Sequence, residues 1–198
     1  MKKLFLTAAV AVSSLTFAQQ FGAKAGMNVS TISDEGFDDT KSKVGYYAGV
    51  FMNVPVSESF SIQPEVLYNN LGSKVSSTVL GTTYSSTLNL DYVAVPVMFQ
   101  YKATPQFYLE AGPEFGFLVN AKQKFDDGSS STVTELDKED FNSFNMGVGL
   151  GLGFDISKNV GLNARYVAGF SDITKKSGPA ADAKNKNNAF QVGLNIKF

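Results

Sequence analysis

The stretch FNMGVGLGLGFD, residues 144–155, alternates between large apolar residues and small or polar ones. Its apolar members are Phe144, Met146, Val148, Leu150, Leu152 and Phe154. Glycine fills positions 147, 149, 151 and 153. Successive side chains of a β-strand point to opposite faces, so the pattern predicts a strand with one apolar and one small, polar face. A nucleotide-binding loop would need a GxGxxG spacing that opens a helix, which this stretch lacks.

The same period of two recurs along the chain and predicts eight strands of about 10–14 residues. Tilted strands that cross a membrane need about 9–11 residues, whereas soluble strands usually have about 5–6. The connections are short at Pro55–Glu58, Lys102–Gln106 and Ile156–Asn159, and long at Thr31–Ser42, Gly72–Thr87, Ala121–Asp140 and Phe170–Asn187. The predicted fold is all-β, an eight-stranded antiparallel transmembrane β-barrel with short periplasmic turns and long extracellular loops.

Alternation alone does not say whether the apolar faces point outward to lipid or inward, as in a soluble carrier barrel of the lipocalin type. The glycines opposite the apolar face favour lipid, because small side chains suit the crowded interior of an eight-stranded barrel. The segment Leu88–Tyr101 is apolar in both parities. Either a bulge near Asp91–Ala94 switches its facing, or the strand is apolar on both faces.

Aromatic residues gather at both ends of the predicted strands. Membrane barrels carry two aromatic girdles where lipid meets water. The predicted turn-end girdle contains Phe21, Phe60, Tyr101, Phe107, Phe154 and Phe198, and the loop-end girdle contains Tyr46, Tyr68, Phe117, Phe144, Tyr166 and Phe190.

Eight charged residues fall on the polar faces of the strands and are predicted to share the lumen. They are Lys24, Lys43, Arg165 and Lys197 with Glu65, Glu110, Glu114 and Asp155. A polar path for protons or small solutes is one interpretation. Because eight strands leave an interior that side chains fill, and buried charges pair, a plug of ion pairs is favoured.

The N-terminus has the features of a secretory signal peptide. Lys2 and Lys3 precede an apolar stretch from Leu4 to Phe17, and Ala18 is a small residue before the predicted cleavage point. The chain therefore divides into a signal peptide, residues 1–18, and a barrel domain, residues 19–198. The apolar stretch is shorter than the ~20 residues of a spanning helix.

The composition argues against most catalytic chemistry. The chain has no His and no Cys, which removes Ser–His pairs, thiol nucleophiles and the usual zinc and iron–sulfur ligands. We predict that the protein is not an enzyme and needs no metal or cofactor. Its formal net charge of −1 provides no basic field for nucleic acid.

Several segments resemble a known family. They are FGAKAGMN (21–28), SIQPEVLYNNLG (61–72), LDYVAVPVMFQY (90–101), FYLEAGPEFGFLV (107–119) and VGLNIKF (192–198). Together they resemble the small outer-membrane β-barrel "porin family" proteins of Gram-negative bacteria, which include PorT-like proteins. The resemblance implies an outer-membrane location. It also implies that the last strand is read by the barrel-assembly machinery, through Phe190, Val192, Leu194, Ile196 and Phe198.

These features predict a structural or surface-interaction protein of the cell envelope, which contacts outer-membrane lipid and lipopolysaccharide and binds a surface ligand that the sequence does not name. A basic last loop, with Lys175, Lys176, Lys184 and Lys186, could meet lipopolysaccharide phosphates or simply be solvated. The alternatives are a narrow channel for small solutes and a soluble periplasmic carrier.

Overall fold

The computed structural model describes residues 19–33, 41–79, 82–174 and 185–198. The predicted signal peptide lies outside the described residues, as do Lys175, Lys176 and Lys184 of the basic loop. Nine strands are present in this part of the chain: β1 Gln20–Ser33, β2 Lys41–Pro55, β3 Phe60–Val79, β4 Thr82–Lys102, β5 Phe107–Asp126, β6 Ser131–Glu135, β7 Phe144–Asp155, β8 Val160–Asp172 and β9 Lys186–Lys197. A short 3-10 helix spans Lys138–Asp140.

Eight of these strands form a closed antiparallel ring in the order β1-β2-β3-β4-β5-β7-β8-β9. The ring closes where β1 pairs with β9, from Gly22 opposite Lys197 to Ser33 opposite Lys186. Strand β6 pairs only with β5 in the described structure and stands outside the ring. The predicted eight-stranded barrel is therefore confirmed. No helix in the described ranges is long and apolar enough to span a membrane.

The three short turns lie at one end of the barrel and share one local device. Each carries a hydroxyl at its second position, on Ser57, Thr104 or Ser157. That hydroxyl accepts a hydrogen bond from the first backbone N–H of the next strand, at 2.9–3.1 Å. Ser and Thr stabilise tight turns by such bonds, because they satisfy a backbone donor that the turn would otherwise leave unpaired.

Two of the predicted long loops are wrong in part, because they continue as strand. β3 and β4 pair without interruption from Leu71 opposite Leu90 to Val79 opposite Thr82, so most of the range 72–87 is a hairpin. β5 runs on to Asp126 and pairs with β6. These extensions are rich in Ser, Thr and Val, which favour extended backbone. The strands β3, β4 and β5 consequently have 20, 21 and 20 residues, more than the predicted 10–14.

The apolar face of the barrel points outward. Val148, Leu150 and Leu152 are 36, 60 and 44% exposed, whereas a methyl group built on Gly149 would meet Arg165 and Met98 inside the barrel. Successive apolar residues from Phe144 to Phe154 cover roughly 33 Å of strand, or ~25 Å of membrane at the usual tilt. An outward apolar band with a polar interior excludes the soluble carrier, which needs an apolar interior.

The facing of the Leu88–Tyr101 segment is now determined. Val93, Val95, Val97, Phe99 and Tyr101 face lipid, while Leu90, Tyr92, Ala94 and Met98 are buried inside. The strand is thus apolar on both faces and keeps one facing throughout. The bulge lies on the neighbouring strand, where Val119 is the extra residue, since Asp91 pairs with Asn120 and Tyr92 pairs with Leu118.

Candidate functional site: the polar interior of the barrel

Four of the eight predicted lumen charges form a central charge cluster of Lys24, Glu65, Glu110 and Arg165. They come from β1, β3, β5 and β8, which surround the lumen. Glu110 lies opposite Gly151 on β7, and Gly151 lies opposite Arg165 on β8. Since Gly151 has no side chain, Arg165 can reach across it to Glu110. A methyl group on Gly151 would lie 3.0 Å from Glu110 Oε1.

Arg165 is the centre of this cluster. Its Nη1 and Nη2 donate to Oε2 and Oε1 of Glu65 at 2.9 and 2.8 Å, a bidentate pair. Its Nε donates to Glu110 Oε1 at 2.8 Å. Lys24 Nζ donates to Glu65 Oε1 at 2.8 Å. All four side chains are nearly inaccessible to solvent, and two positive charges balance two negative ones. Such pairing offsets the large cost of burying charges.

Amide side chains complete the hydrogen bonding of the two carboxylates. Gln63 Nε2 donates to Glu65 at 2.8 Å, and Gln100 Nε2 donates to Glu110 at 3.0 Å. Asn53 Nδ2 in turn donates to the side-chain oxygens of Gln63 and Gln100. These amides were not predicted as part of the site. Asn53 and Gln63 fall on the polar parity of their strands, whereas Gln100 lies in the Leu88–Tyr101 segment, whose facing the sequence left open.

A second layer of polar contacts joins opposite walls of the barrel. Tyr47 donates through its hydroxyl to Asn163 at 2.8 Å, Asn163 donates to Asn195 at 2.8 Å, and Asn195 donates to the Tyr108 hydroxyl at 3.0 Å. The large rings fit because glycines lie opposite them: Gly26 opposite Tyr47, and Gly153 opposite Tyr108. These hydrogen bonds cross the lumen, so side chains fill the interior at this level.

The other four predicted lumen charges lie apart from the central charge cluster. Lys197 pairs with Asp155 at 2.5 Å near the turn end. Lys43 donates to Asn70 Oδ1 and to the Leu71 carbonyl near the loop end. Glu114 is buried but makes no ion pair among the described residues. The structure therefore brings together four of the eight residues.

Asp91 is a buried acid that the sequence analysis did not assign to the lumen set. Its carboxylate accepts hydrogen bonds from Asn70 Nδ2 at 2.5 Å and Asn120 Nδ2 at 3.0 Å. Asn70 Oδ1 also accepts a hydrogen bond from Lys43 Nζ, so Lys43, Asn70, Asp91 and Asn120 form a hydrogen-bonded chain near the loop end. Asp91 lies between the inward residues Leu90 and Tyr92, on the outward parity of β4, and the bulge at Val119 places Asn120 opposite it.

A cluster of buried apolar residues, the apolar cap, lies at the loop end of the lumen. It consists of the buried residues Leu71, Leu90, Tyr92, Ala121, Phe141, Ile173 and Ala189. Phe141 and Ile173 come from segments outside the strands, which are joined by a bond from Asn142 N–H to the Ile173 carbonyl at 2.7 Å. The cap was not predicted, because its members are scattered over four strands and two connections.

The predicted girdle residues face outward, with Phe107 half-buried. At the turn end Phe60 packs against Tyr101, with ring centroids 5.0 Å apart. At the loop end Phe117 packs on Phe144 at 5.5 Å, and Tyr46 stacks on Tyr68 at 6.2 Å. In the last strand Phe190, Val192, Leu194, Ile196 and Phe198 all point to the outer face.

Beyond the barrel, the extensions of β3, β4 and β5 and the short strand β6 form a projecting sheet, which comprises residues 73–79, 82–88, 122–126 and 131–135. Tyr84, Phe125 and Val133 are exposed on it. Its β5–β6 turn is held by Asp127, whose Oδ1 accepts hydrogen bonds from Ser129 and Ser130 backbone N–H groups. These bonds lower the pKa of the Asp127 carboxyl.

Among the described residues no group of acidic side chains has the arrangement of a metal site. The interior of the barrel offers ion pairs and hydrogen bonds between its side chains. The central charge cluster and its amide partners lie at mid-height, and the apolar cap lies at the loop end.

Solved structures with the same fold include bacterial outer-membrane and surface proteins. Ail, the attachment invasion locus protein of Yersinia pestis, shares 15% sequence identity and matches with a TM-score of 0.54, over 92% of this chain and 100% of that chain. A second structure of Ail, in complex with the heparin analogue sucrose octasulfate, matches with a TM-score of 0.50 over the same shares. Neisserial surface protein A shares 12% identity, with a TM-score of 0.50, over 91% of this chain and 99% of that chain.

No curated protein sequence matches this chain. A family model, "Outer membrane protein beta-barrel domain", matches residues 17–175. That range spans most of the barrel, from before β1 to the end of β8. The chain belongs to the outer membrane protein beta-barrel domain family.

Proposed function

We propose that this outer-membrane barrel has a closed lumen and acts through its extracellular surface. Support for the closed lumen comes from the central charge cluster and the apolar cap, which obstruct the interior at two heights. A solute path would have to break the bidentate Arg165–Glu65 pair and displace the cap as well. Both are costly, because breaking a buried ion pair strands an unpaired charge.

The observation that carries the surface role is the projecting sheet. Tyr84, Phe125 and Val133 are 41, 51 and 58% exposed there, beyond the part of the barrel that lipid covers. Exposed apolar side chains in lipid contact need no partner, but in water they mark surfaces that bind other molecules. Among the described residues β6 pairs only with β5, so its other edge could accept an added strand.

The outer surface of the protein meets lipid along the barrel and water beyond it, and the proposed partners follow from these two environments. The apolar band and its girdles would contact outer-membrane lipid, with lipopolysaccharide around the loop end. The outward, regular strand β9 is compatible with recognition by the barrel-assembly machinery. Ail, which shares the fold, has been crystallised with a sulfated heparin analogue. On the projecting sheet Lys122 lies 3.3 Å from Glu135 and Lys124 lies 4.0 Å from Asp126, so we favour an apolar over a polyanionic contact.

A whole-cell adhesion assay tests the surface role. Cells that display the protein should adhere to an apolar polystyrene surface more than cells with an empty vector, because the exposed rings would be buried against it. The double variant Tyr84→Ser/Phe125→Ser should reduce adhesion to the vector level, because it removes the exposed rings without touching the barrel. Val66→Ala, on the lipid face of β3, is the matched control and should adhere like the parent. Equal adhesion of the double variant and the parent would contradict the proposal.

A further inference from the structure

A small cavity lies in the lumen between the central charge cluster and the apolar cap. Its walls include Asn69, Tyr92, Glu114, Asn145 and Asn187. About 20 Å³ is open to the centre of a water molecule. One buried water requires roughly 10–15 Å³ in this measure, so the space suits about one water and excludes larger solutes.

These five residues carry most of the unpartnered buried polar atoms in the described structure. The atoms are Asn69 Nδ2, Tyr92 Oη, Glu114 Oε2, Asn145 Nδ2, Asn187 Nδ2 and Asn187 Oδ1. Asn69, Tyr92, Asn187 and Glu114 are each less than one tenth exposed. Buried polar groups normally find partners, since an unsatisfied one costs about 1–3 kcal/mol. Their concentration around one cavity indicates a shared ligand.

The chemistry of the atoms decides which ligand fits. Three are amide nitrogens, which only donate, while Glu114 Oε2 and Asn187 Oδ1 accept and the Tyr92 hydroxyl can do either. The ligand must therefore accept and donate at once, as water does. A metal cation accepts no hydrogen bond and would leave the three amide groups unpaired.

We infer that Glu114, Asn69, Asn145, Asn187 and Tyr92 form an internal water-binding site. This inference goes beyond the proposed function and uses its closed lumen only to explain slow exchange. The central charge cluster separates the site from the turn end, and the apolar cap separates it from the loop end. The bound water donates to Glu114 and accepts from two of the asparagine amides at a time, because a water oxygen has two lone pairs, and this holds these side chains in place.

Water–protein NMR cross-relaxation on the folded, labelled protein in detergent micelles tests this site. The side-chain amides of Asn69, Asn145 and Asn187 should show NOE and ROE peaks to water of opposite sign, the signature of a long-lived bound water. Asn163 and Asn195 are matched internal controls. Their amide groups are bonded to protein, and Asn195 donates to a tyrosine hydroxyl, which controls for exchange through such a group.

The variant Asn187→Leu removes two of the polar partners and fills part of the space, so the remaining peaks of Asn69 and Asn145 should be lost. Absence of the peaks in the parent protein would overturn the inference without any need for the variant. Peaks that persist in a folded Asn187→Leu protein would also overturn it. The third contrary result is amide shifts that respond to added sodium or calcium ions at constant ionic strength, which would indicate a cation site instead.

Discussion

Arg165→Ala is expected to lower the free energy of unfolding by about 3–5 kcal/mol, because it leaves two carboxylates without their buried partner. In the structure these are Glu65 and Glu110, which Arg165 contacts at 2.7–2.9 Å. Lys24 still pairs with Glu65 in the variant, so Glu110 loses its only ion pair among the described residues. Strand parity alone leaves Glu110 and Glu114 as possible partners of Arg165, and in the structure Arg165 contacts Glu110 and not Glu114.

Urea-induced unfolding from lipid vesicles, followed by tyrosine fluorescence, measures this effect. Lys122→Ala is the control, since Lys122 also pairs with an acid but lies exposed on the projecting sheet. Exposed pairs typically contribute about 0.2–1 kcal/mol, so the control should change little. A folded Arg165→Ala protein as stable as the parent would show that the central charge cluster does not hold the barrel together.

Leu150→Arg is the second large effect that we expect, a loss of about 2–4 kcal/mol. Leu150 is 60% exposed on the outer face and lies in the middle of the apolar row that runs from Phe144 to Phe154. Exposure to water would make this substitution harmless, whereas exposure to the hydrocarbon core forces a charge into lipid. The size of the effect therefore reports the environment of the outer face.

Val133→Arg is the matched control, because Val133 is equally exposed, at 58%, but lies on β6 outside the barrel. Surface substitutions of this kind usually stay within about 0.5 kcal/mol. The same unfolding measurement serves for both variants. Similar small effects at the two positions would show that Leu150 faces water and would contradict the outward, lipid-facing orientation of the apolar residues.

The fold could be predicted because the facing of a strand is a local property. In residues 144–155 large apolar side chains alternate with small or polar ones without exception. The glycines on one face indicate that this face points into the barrel. The facing of the Leu88–Tyr101 segment does not follow from its own sequence, because the residues of both parities are apolar. Its facing is set by neighbours, as Leu90 joins the apolar cap while Val93 and Val97 meet lipid.

The site could be predicted only in part, because pairing depends on register between strands that are distant in sequence. Parity places Glu110 and Glu114 on the same inward face. Only the alignment of Glu110 with Gly151 and Arg165 shows which of them receives the guanidinium. The apolar cap shows a further limit, since Phe141 and Ile173 lie in connections that have no period from which facing can be inferred.

If the lumen of this outer-membrane barrel is closed, as we propose, the protein should not conduct ions. Single-channel recording in planar bilayers measures this, with purified folded protein and a large-pore porin as the positive control. We expect no conductance, or only a very small one, at potentials where the control conducts steadily. A stable, large and persistent open conductance from the unmodified protein would contradict this proposal.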